Sequence, residues 1–172
     1  MKRYLCISVV FLDPLFHGEG DDEPEWPPSP MRLFQALLAG TRTGCRGSEW
    51  CEGKAAAFRW LGQLTERQLP LIVAPMTRRM SGCTLFAPNN DSDKEFDRRD
   101  RLTSKVARPH RLCDGDTVHY LWPIPEGDGT PGSVHAEVLC GVARHLLALG
   151  WGIDQVVGNG RTLTDAQAAA LP

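Results

Sequence analysis

The sequence predicts an α+β fold in which strands and helices follow one another in the order β-α-β-β-α-β. Short runs rich in β-branched and aromatic residues predict the strands, and leucines recurring every three or four residues predict the helices. The length of 172 residues suits one domain, with or without a tail. When one extra helix is set aside, this order is the ferredoxin-like pattern. Many unrelated proteins share that fold, so the order alone predicts no activity.

The first half of the chain predicts one strand and two helices. Residues 3–12 form an apolar run typical of a buried strand. After an acidic loop at 19–25, a proline-rich segment leads into a helix that Ser29 can cap and Pro30 can begin. The apolar face of this helix consists of Leu33, Phe34, Leu37 and Leu38. A loop at 40–53 then precedes a second helix at 55–68, whose inward residues are Phe58, Leu61 and Leu64.

The second half predicts the remaining strands and one more helix. The strands are expected at residues 69–74, 83–87, 117–123 and 153–157. Residues 134–149 predict a helix with an apolar stripe, and Gly150 stands where a left-handed cap is expected. Gly158–Arg161 predicts a tight turn. Residues 88–116 are polar with little apolar periodicity, so we expect a functional segment or an extended hairpin there.

Composition narrows the class of protein. No segment approaches the ~20 apolar residues of a membrane span, and no small-residue cleavage site follows the first apolar run, so we expect a cytoplasmic protein. The six cysteines form no C-x-x-C pair, which predicts reduced, mostly buried thiols and no zinc site. The acidic loop at 19–25 lacks calcium-loop spacing, which favours a solvated loop. No cofactor or metal is implied.

The charge is unevenly distributed along the chain. The net charge is −2 and the isoelectric point is near 6.2, whereas nucleic-acid-binding domains are more often basic. Cations nevertheless concentrate within residues 98–111, with Arg78 and Arg79 upstream. They are Arg98, Arg99, Arg101, Lys105, Arg108 and Arg111. Such a cluster predicts contacts with RNA phosphates and bases, because each phosphate contact releases counterions and arginine can also stack. The alternative is a solvated loop neutralised by acidic residues at 91–97.

Two further groups of residues are candidates for contact with RNA. Among the five histidines, His17 follows the first strand and His110 lies within the basic segment, so these two are weak candidates for acid–base chemistry. The glycines Gly158 and Gly160 beside Arg161 can let the backbone approach a phosphate, although a simple turn uses the same residues. No set of nucleophile, base and orienting group is visible from spacing.

One motif resembles a known family. The segment Glu25–Ala39, which reads EWPPSPMRLFQALLA, follows a strand and a His-Gly pair as it does in one subunit of type I-G (formerly I-U) CRISPR systems. That subunit joins two parts of the RAMP superfamily: one binds the 5′ handle of the guide RNA, and the other is the repeat endoribonuclease. The segments at 86–91, 101–109, 120–123, 148–152 and 158–161 resemble it more loosely.

The resemblance implies an RRM-like, RAMP-type domain over residues 1–163, with a thumb-like insertion at 88–116 and a tail or linker at 164–172. The implied partners are the 5′ handle of the CRISPR guide RNA, the backbone and large subunits of a Cascade complex, and target DNA indirectly. The fused family is far longer than this chain. We therefore expect the nuclease half to be absent and do not transfer ribonuclease activity.

Three functions stay open. The favoured one is a non-catalytic guide-RNA-binding subunit that caps the filament of backbone subunits. The second is a metal-independent endoribonuclease in which His17 or His110 is the general acid or base and nearby arginines stabilise the transition state. The third is a ferredoxin-like assembly module that contacts only protein, which the acidic isoelectric point favours and the basic cluster opposes.

Overall fold

The structure is a computed structural model. It describes residues 2–20, 23–43, 47, 49–88, 97, 101–125 and 131–171. The strands are β1 (Arg3–Phe11), β2 (Leu15–Phe16), β3 (Glu19–Gly20), β4 (Glu23–Pro24), β5 (Leu71–Val73), β6 (Thr77–Arg79), β7 (Cys83–Pro88), β8 (Leu102–Ala107), β9 (His110–Leu112), β10 (Thr117–Ile124) and β11 (Val156–Thr164). The helices are α1 (Pro30–Arg42), α2 (Glu52–Arg67), α3 (Pro131–Ala143) and α4 (Asp165–Ala169).

Four of the strands form the main sheet in the order β11-β1-β10-β5. Every neighbouring pair is antiparallel, and the register places Ser8 of β1 opposite both His119 and Asn159. Helices α1 and α2 connect β1 to β5, and α3 connects β10 to β11. The predicted ferredoxin-like α+β fold with an extra helix is confirmed.

The core lies between one face of this sheet and the helices. Because side chains alternate along a strand, β1 directs Leu5, Ile7 and Val9 to that face, where all three are fully buried. The helices contribute the other side of the core with Leu33, Leu37, Phe58, Leu61, Leu64, Leu139 and Val142. On the other face a smaller cluster of Cys6, Leu121 and Leu163 packs against Ala168 and Leu171, so α4 and Leu171 cover part of that face.

The proline-rich motif holds α1 against the sheet. The Ser29 hydroxyl accepts a hydrogen bond from the backbone N–H of Arg32 at 3.3 Å, which confirms the predicted cap. The Glu25 carboxylate accepts bonds from the Ser29 backbone N–H and from Arg32 Nε, at 2.8 and 2.7 Å. The buried Tyr120 hydroxyl donates to the Pro28 carbonyl at 2.8 Å. The motif is therefore a rigid lead-in to α1, and its polar groups bond mainly to one another.

A β-ribbon extends from the main sheet and includes the described strands of the predicted insertion. Its base is β6 paired with β9, which also pairs with β2, and its outer part is the β7–β8 hairpin. Residues 80–82 lie opposite only Arg108 and Pro109, so a one-residue bulge separates the two parts. Of the predicted segment 88–116, residues 102–107 and 110–112 form strands of this ribbon, which begins at Thr77, whereas 89–96 and 98–100 lie outside the described residues.

The predicted helix at 134–149 ends earlier, at Ala143. Its last bonds tighten, because the N–H groups of His145 and Leu146 donate to carbonyls only three residues back. The carbonyl of His145 then lies against the place where a Cβ of Gly40 in α1 would be. Leu146 and Leu149 still reach the core from an irregular segment, which explains why the apolar stripe seemed continuous.

Four further expectations are corrected. Gly150 has a positive φ of 117° but lies in the turn before Asp154, seven residues beyond the end of α3, so it does not cap that helix. Gly158–Arg161 is not a turn, because β11 runs straight through it. α2 begins at Glu52, inside the expected loop. Among the five described cysteines, Cys51, Cys83 and Cys113 are exposed, so the thiols are not mostly buried.

Candidate nucleic-acid interface

The predicted cations that the structure describes lie on or beside the ribbon. Arg101 precedes β8, Lys105 lies within β8, Arg108 is at the bulge and Arg111 is in β9, and all four are exposed. Arg98 and Arg99 lie outside the described residues. Lys105, Arg108 and Arg111 form no ion pair with any carboxylate in the described part of the chain. Much of their positive charge is therefore available to an anion from solution.

The outer hairpin also exposes apolar side chains. Phe86 and Val106 are 66% and 59% exposed on one face of the hairpin, and Lys105 lies on the other face opposite Leu85. An isolated two-stranded hairpin is marginally stable, and β7 and β8 pair only with each other among the described strands. An exposed aromatic ring close to cations is the combination that binds unpaired bases. The role of Phe86 was not predicted from the sequence, because a single phenylalanine in a strand pattern is typical of a core residue.

Arg161 lies away from this cluster. It is exposed on β11, which is at the opposite edge of the main sheet from β5, the strand that leads into the ribbon. Its neighbours Gly158 and Gly160 turn the other way, towards α3. A Cβ at Gly158 would collide with the Ala143 carbonyl, and one at Gly160 would collide with Cys140 Cα. Close packing of α3 thus accounts for both glycines, and their contact with RNA stays a prediction.

On the outer face of the main sheet, Arg161 acts on a buried histidine. The His119 imidazole is 7% exposed, and its Nδ1 is 2.8 Å from the Ser8 hydroxyl. Burial lowers the pKa of His119, and the positive charge of Arg161 lowers it further. His119 is therefore a neutral ring at physiological pH, bonded to a hydroxyl beside an exposed arginine.

His17 belongs to a long-range pair that spacing could not reveal. Its Nδ1 lies 2.6 Å from Asp154 Oδ1, and its backbone N–H donates to the same carboxylate at 3.1 and 3.2 Å. The Trp151 N–H donates to the other oxygen at 2.8 Å, and the rings of His17 and Trp151 stack. The Asp154 side chain is fully buried, whereas that of His17 is 10% exposed. A buried carboxylate that holds Nδ1–H leaves Nε2 of the ring as the reactive nitrogen.

His110, the other candidate histidine, is placed differently. It is 8% exposed, its ring stacks on Trp26, and its Nδ1 lies 3.0 Å from the Thr77 hydroxyl. Trp26 is itself held by a bond from its indole N–H to the Pro75 carbonyl at 3.0 Å. These contacts give His110 a packing role that joins the ribbon base to the proline-rich motif. The ring of His17 is oriented by a buried carboxylate.

Other kinds of site find little support in the described residues. Within the described ranges, no group of three or more histidine, cysteine or acidic side chains converges as metal ligands would. The Glu25 carboxylate of the acidic loop is engaged by the α1 cap and Arg32. No helix in the described part of the chain is long and apolar enough to cross a membrane.

Comparison with known proteins identifies the family. None of the curated proteins matches this chain. Residues 9–172 match the family described as CRISPR-associated protein, GSU0054 family. The match covers nearly the whole chain, including the proline-rich motif, the ribbon and the main sheet. The chain therefore belongs to the GSU0054 family of CRISPR-associated proteins and has a role in CRISPR defence.

Proposed function

We propose that this chain is a guide-RNA-binding subunit of a type I Cascade complex, of the type I-G kind. In this role it holds the 5′ handle of the guide RNA and caps the filament of backbone subunits. The supporting observation is the ribbon, which presents Lys105, Arg108 and Arg111 without ion-pair partners among the described carboxylates. Its exposed Phe86 adds a surface on which an unpaired base can stack.

The ribbon suits single-stranded RNA better than a duplex. The hairpin is narrow, and cations and apolar side chains occupy its two faces, so a flexible strand can contact both. Arginine holds phosphate oxygens two at a time, whereas lysine contributes a single point charge. Membership in a CRISPR-associated family supplies the biological context in which such an RNA is present.

The test is binding of handle RNA to the chain with Lys105 and Arg108 replaced by alanine. Each lost contact is expected to weaken binding by roughly 1–3 kcal/mol, the scale of charged hydrogen bonds. The matched control replaces Lys54 and Arg59, a lysine and an arginine of α2 that pair with Glu49 and Glu52. Equal affinity of the ribbon variant and the control variant contradicts the assignment of these residues. Absence of any binding at low salt contradicts RNA binding altogether and favours the assembly module.

A second candidate, cleavage of repeat RNA without a metal, is favoured by the His17–Asp154 pair. In such a reaction the 2′-oxygen attacks the adjacent phosphorus, the bond to the 5′-oxygen breaks, and His17 Nε2 accepts or donates the transferred proton. Asp154 would hold the ring in the tautomer that leaves Nε2 reactive. His17 follows β2, and β2 pairs with β9, which brings Arg111 into the same region.

Repeat RNA incubated with the chain and a chelator decides this candidate. Cleavage at a single site that is lost in His17→Ala and retained in His110→Ala supports it, because a carboxylate orients the His17 ring and the His110 ring packs on Trp26. Intact RNA after prolonged incubation with the wild-type chain contradicts it and leaves RNA binding unaffected.

A further inference from the structure

Two arginines lie side by side at the base of the ribbon. In the register of β6 and β9, Arg78 is directly opposite Arg111, and Leu15 of β2 is the third residue of the same row. Paired residues of antiparallel strands direct their side chains to the same face, with Cβ atoms about 4.5–5.5 Å apart. Both arginines are exposed on that face, and Leu15 is half-buried beside them. Their positive charges therefore meet on one small area of surface.

This arrangement is unfavourable for the protein alone. Like charges directly opposite each other destabilise a sheet. Two other arginines of the fold pair with carboxylates: Arg32 bonds to Glu25 and Arg59 to Glu52. Neither Arg78 nor Arg111 forms an ion pair with a described carboxylate. An anion placed between the two guanidinium groups would remove the repulsion.

We infer that Arg78 and Arg111 together hold one phosphate group of the RNA backbone. Two guanidinium groups on neighbouring strands can each direct planar N–H donors at the oxygens of a single phosphate. The bulge beyond this row ends the regular ladder, so the pair lies where the rigid three-stranded base gives way to the outer hairpin. The inference rests on the proposed function, and it adds Arg78 and a shared ligand to it.

A double-mutant cycle on RNA binding tests the shared phosphate. Binding of a short single-stranded RNA is measured against salt for the wild type, Arg78→Gln, Arg111→Gln and the double variant. Loss of one phosphate contact lowers the log–log salt slope by ~0.7. One shared phosphate predicts that the double variant loses this amount only once and binds about as weakly as either single variant. The control is Arg59→Gln, an exposed arginine of α2, which should leave the slope unchanged.

The outcomes separate this inference from the proposed function. If all variants bind RNA with unchanged salt slopes, the shared phosphate site of Arg78 and Arg111 is overturned, whereas the guide-RNA role is not contradicted. A double variant that loses twice the slope of each single one shows two separate phosphates and also overturns the shared site. If the wild type binds no RNA at low salt, both the proposed function and the shared phosphate site are contradicted.

A second measurement tests the anion site without RNA. Inorganic phosphate should raise the melting temperature of the wild type more than chloride at equal ionic strength, and this difference should shrink in Arg78→Gln and Arg111→Gln. In low salt without phosphate, either variant should melt at or above the wild-type temperature, because the repulsion is relieved. If phosphate raises the melting temperature equally in all three proteins, the shared phosphate site is overturned, whether or not RNA binds.

Discussion

The Nδ1 atom of His17 lies 2.6 Å from the Oδ1 atom of Asp154, although 137 residues separate the two in the chain. The carboxylate also accepts hydrogen bonds from the backbone N–H groups of His17 and Trp151, so it joins the segment after β2 to the turn that leads into β11. Gly150 leaves the space that this carboxylate occupies, because a Cβ there would collide with Asp154 Oδ2. The pair is therefore a structural junction between two distant segments of the chain.

Replacement of Asp154 by alanine should destabilise the fold. The side chain is fully buried, and its removal leaves the N–H groups of His17 and Trp151 without their acceptor. Bonds to charged groups of this kind contribute on the order of 2–3 kcal/mol. The loss is measured by urea unfolding. The control is Asp114→Ala, because Asp114 also accepts a backbone N–H, that of Met76, but is exposed. Equal losses in the two variants would contradict the importance of burial.

Stability should fall when the pH is lowered from about 7 to about 5, in part through His119. Burial and the charge of Arg161 lower the pKa of this imidazole in the folded state. Below about pH 6.5 the unfolded chain binds the proton more readily than the folded one. The free energy of unfolding therefore decreases as the pH falls, until the folded-state pKa is also passed. One linked proton changes the free energy of unfolding by at most ~1.4 kcal/mol per pH unit.

The measurement is urea unfolding at several pH values for the wild type and His119→Gln. Glutamine does not titrate and can still bond to the Ser8 hydroxyl, so the variant should lose less stability on acidification than the wild type. Arg161→Gln should reduce the loss as well, because it removes one of the two causes of the lowered pKa. Identical pH profiles in the wild type and His119→Gln would refute this role of His119.

The sequence allowed the order of the main elements to be predicted because their signals are local. The cap of α1 is an example, since Ser29 and the N–H that it accepts are three residues apart. Leu5, Ile7 and Val9 are fully buried, as predicted, because the run that contains them is rich in the β-branched and aromatic residues that favour a strand over a helix. The ferredoxin-like order then followed from the succession of strands and helices.

What escaped prediction depends on contacts between distant segments. Gly158 and Gly160 have the composition of a turn, but close packing of α3 requires them within a strand, and tertiary contact overrides local preference. No local pattern relates His17 to Asp154. The pairing of Arg78 with Arg111 depends on the register of the ribbon, which a bulge shifts by one residue. The cation cluster was visible in the sequence, whereas the juxtaposition of Arg78 and Arg111 could be found only from the strand pairing.

Replacement of Gly158 by alanine should destabilise the fold by about 2–3 kcal/mol, the scale of overpacking in a close-packed core. Its new Cβ would overlap the Ala143 carbonyl and also crowd Leu146 Cδ1 at 2.6 Å, so α3 would have to move away from β11. The matched control is Gly141→Ala on α3, where no atom lies within 4 Å of the added carbon. Because alanine favours a helix, this control should stabilise the protein by about 0.5–1 kcal/mol. Thermal unfolding of both variants gives the comparison, and destabilisation by both would contradict the assigned packing.

Replacement of Tyr120 by phenylalanine should show how firmly the proline-rich motif is tied to the sheet. The Tyr120 hydroxyl is buried and donates to the Pro28 carbonyl at 2.8 Å, and burial raises the pKa of this phenol, so the group stays a neutral donor. Its loss leaves the carbonyl without this donor and should lower the free energy of unfolding by about 1–2 kcal/mol. The control is Tyr4→Phe on the outer face of the same sheet, where the hydroxyl bonds to the exposed Asp165 and water can replace it. Because Pro28 immediately precedes the cap of α1, hydrogen exchange should also quicken in the first turn of α1 in the Tyr120 variant alone. Unchanged exchange there would mean that the Glu25 and Ser29 bonds position the helix without help from Tyr120.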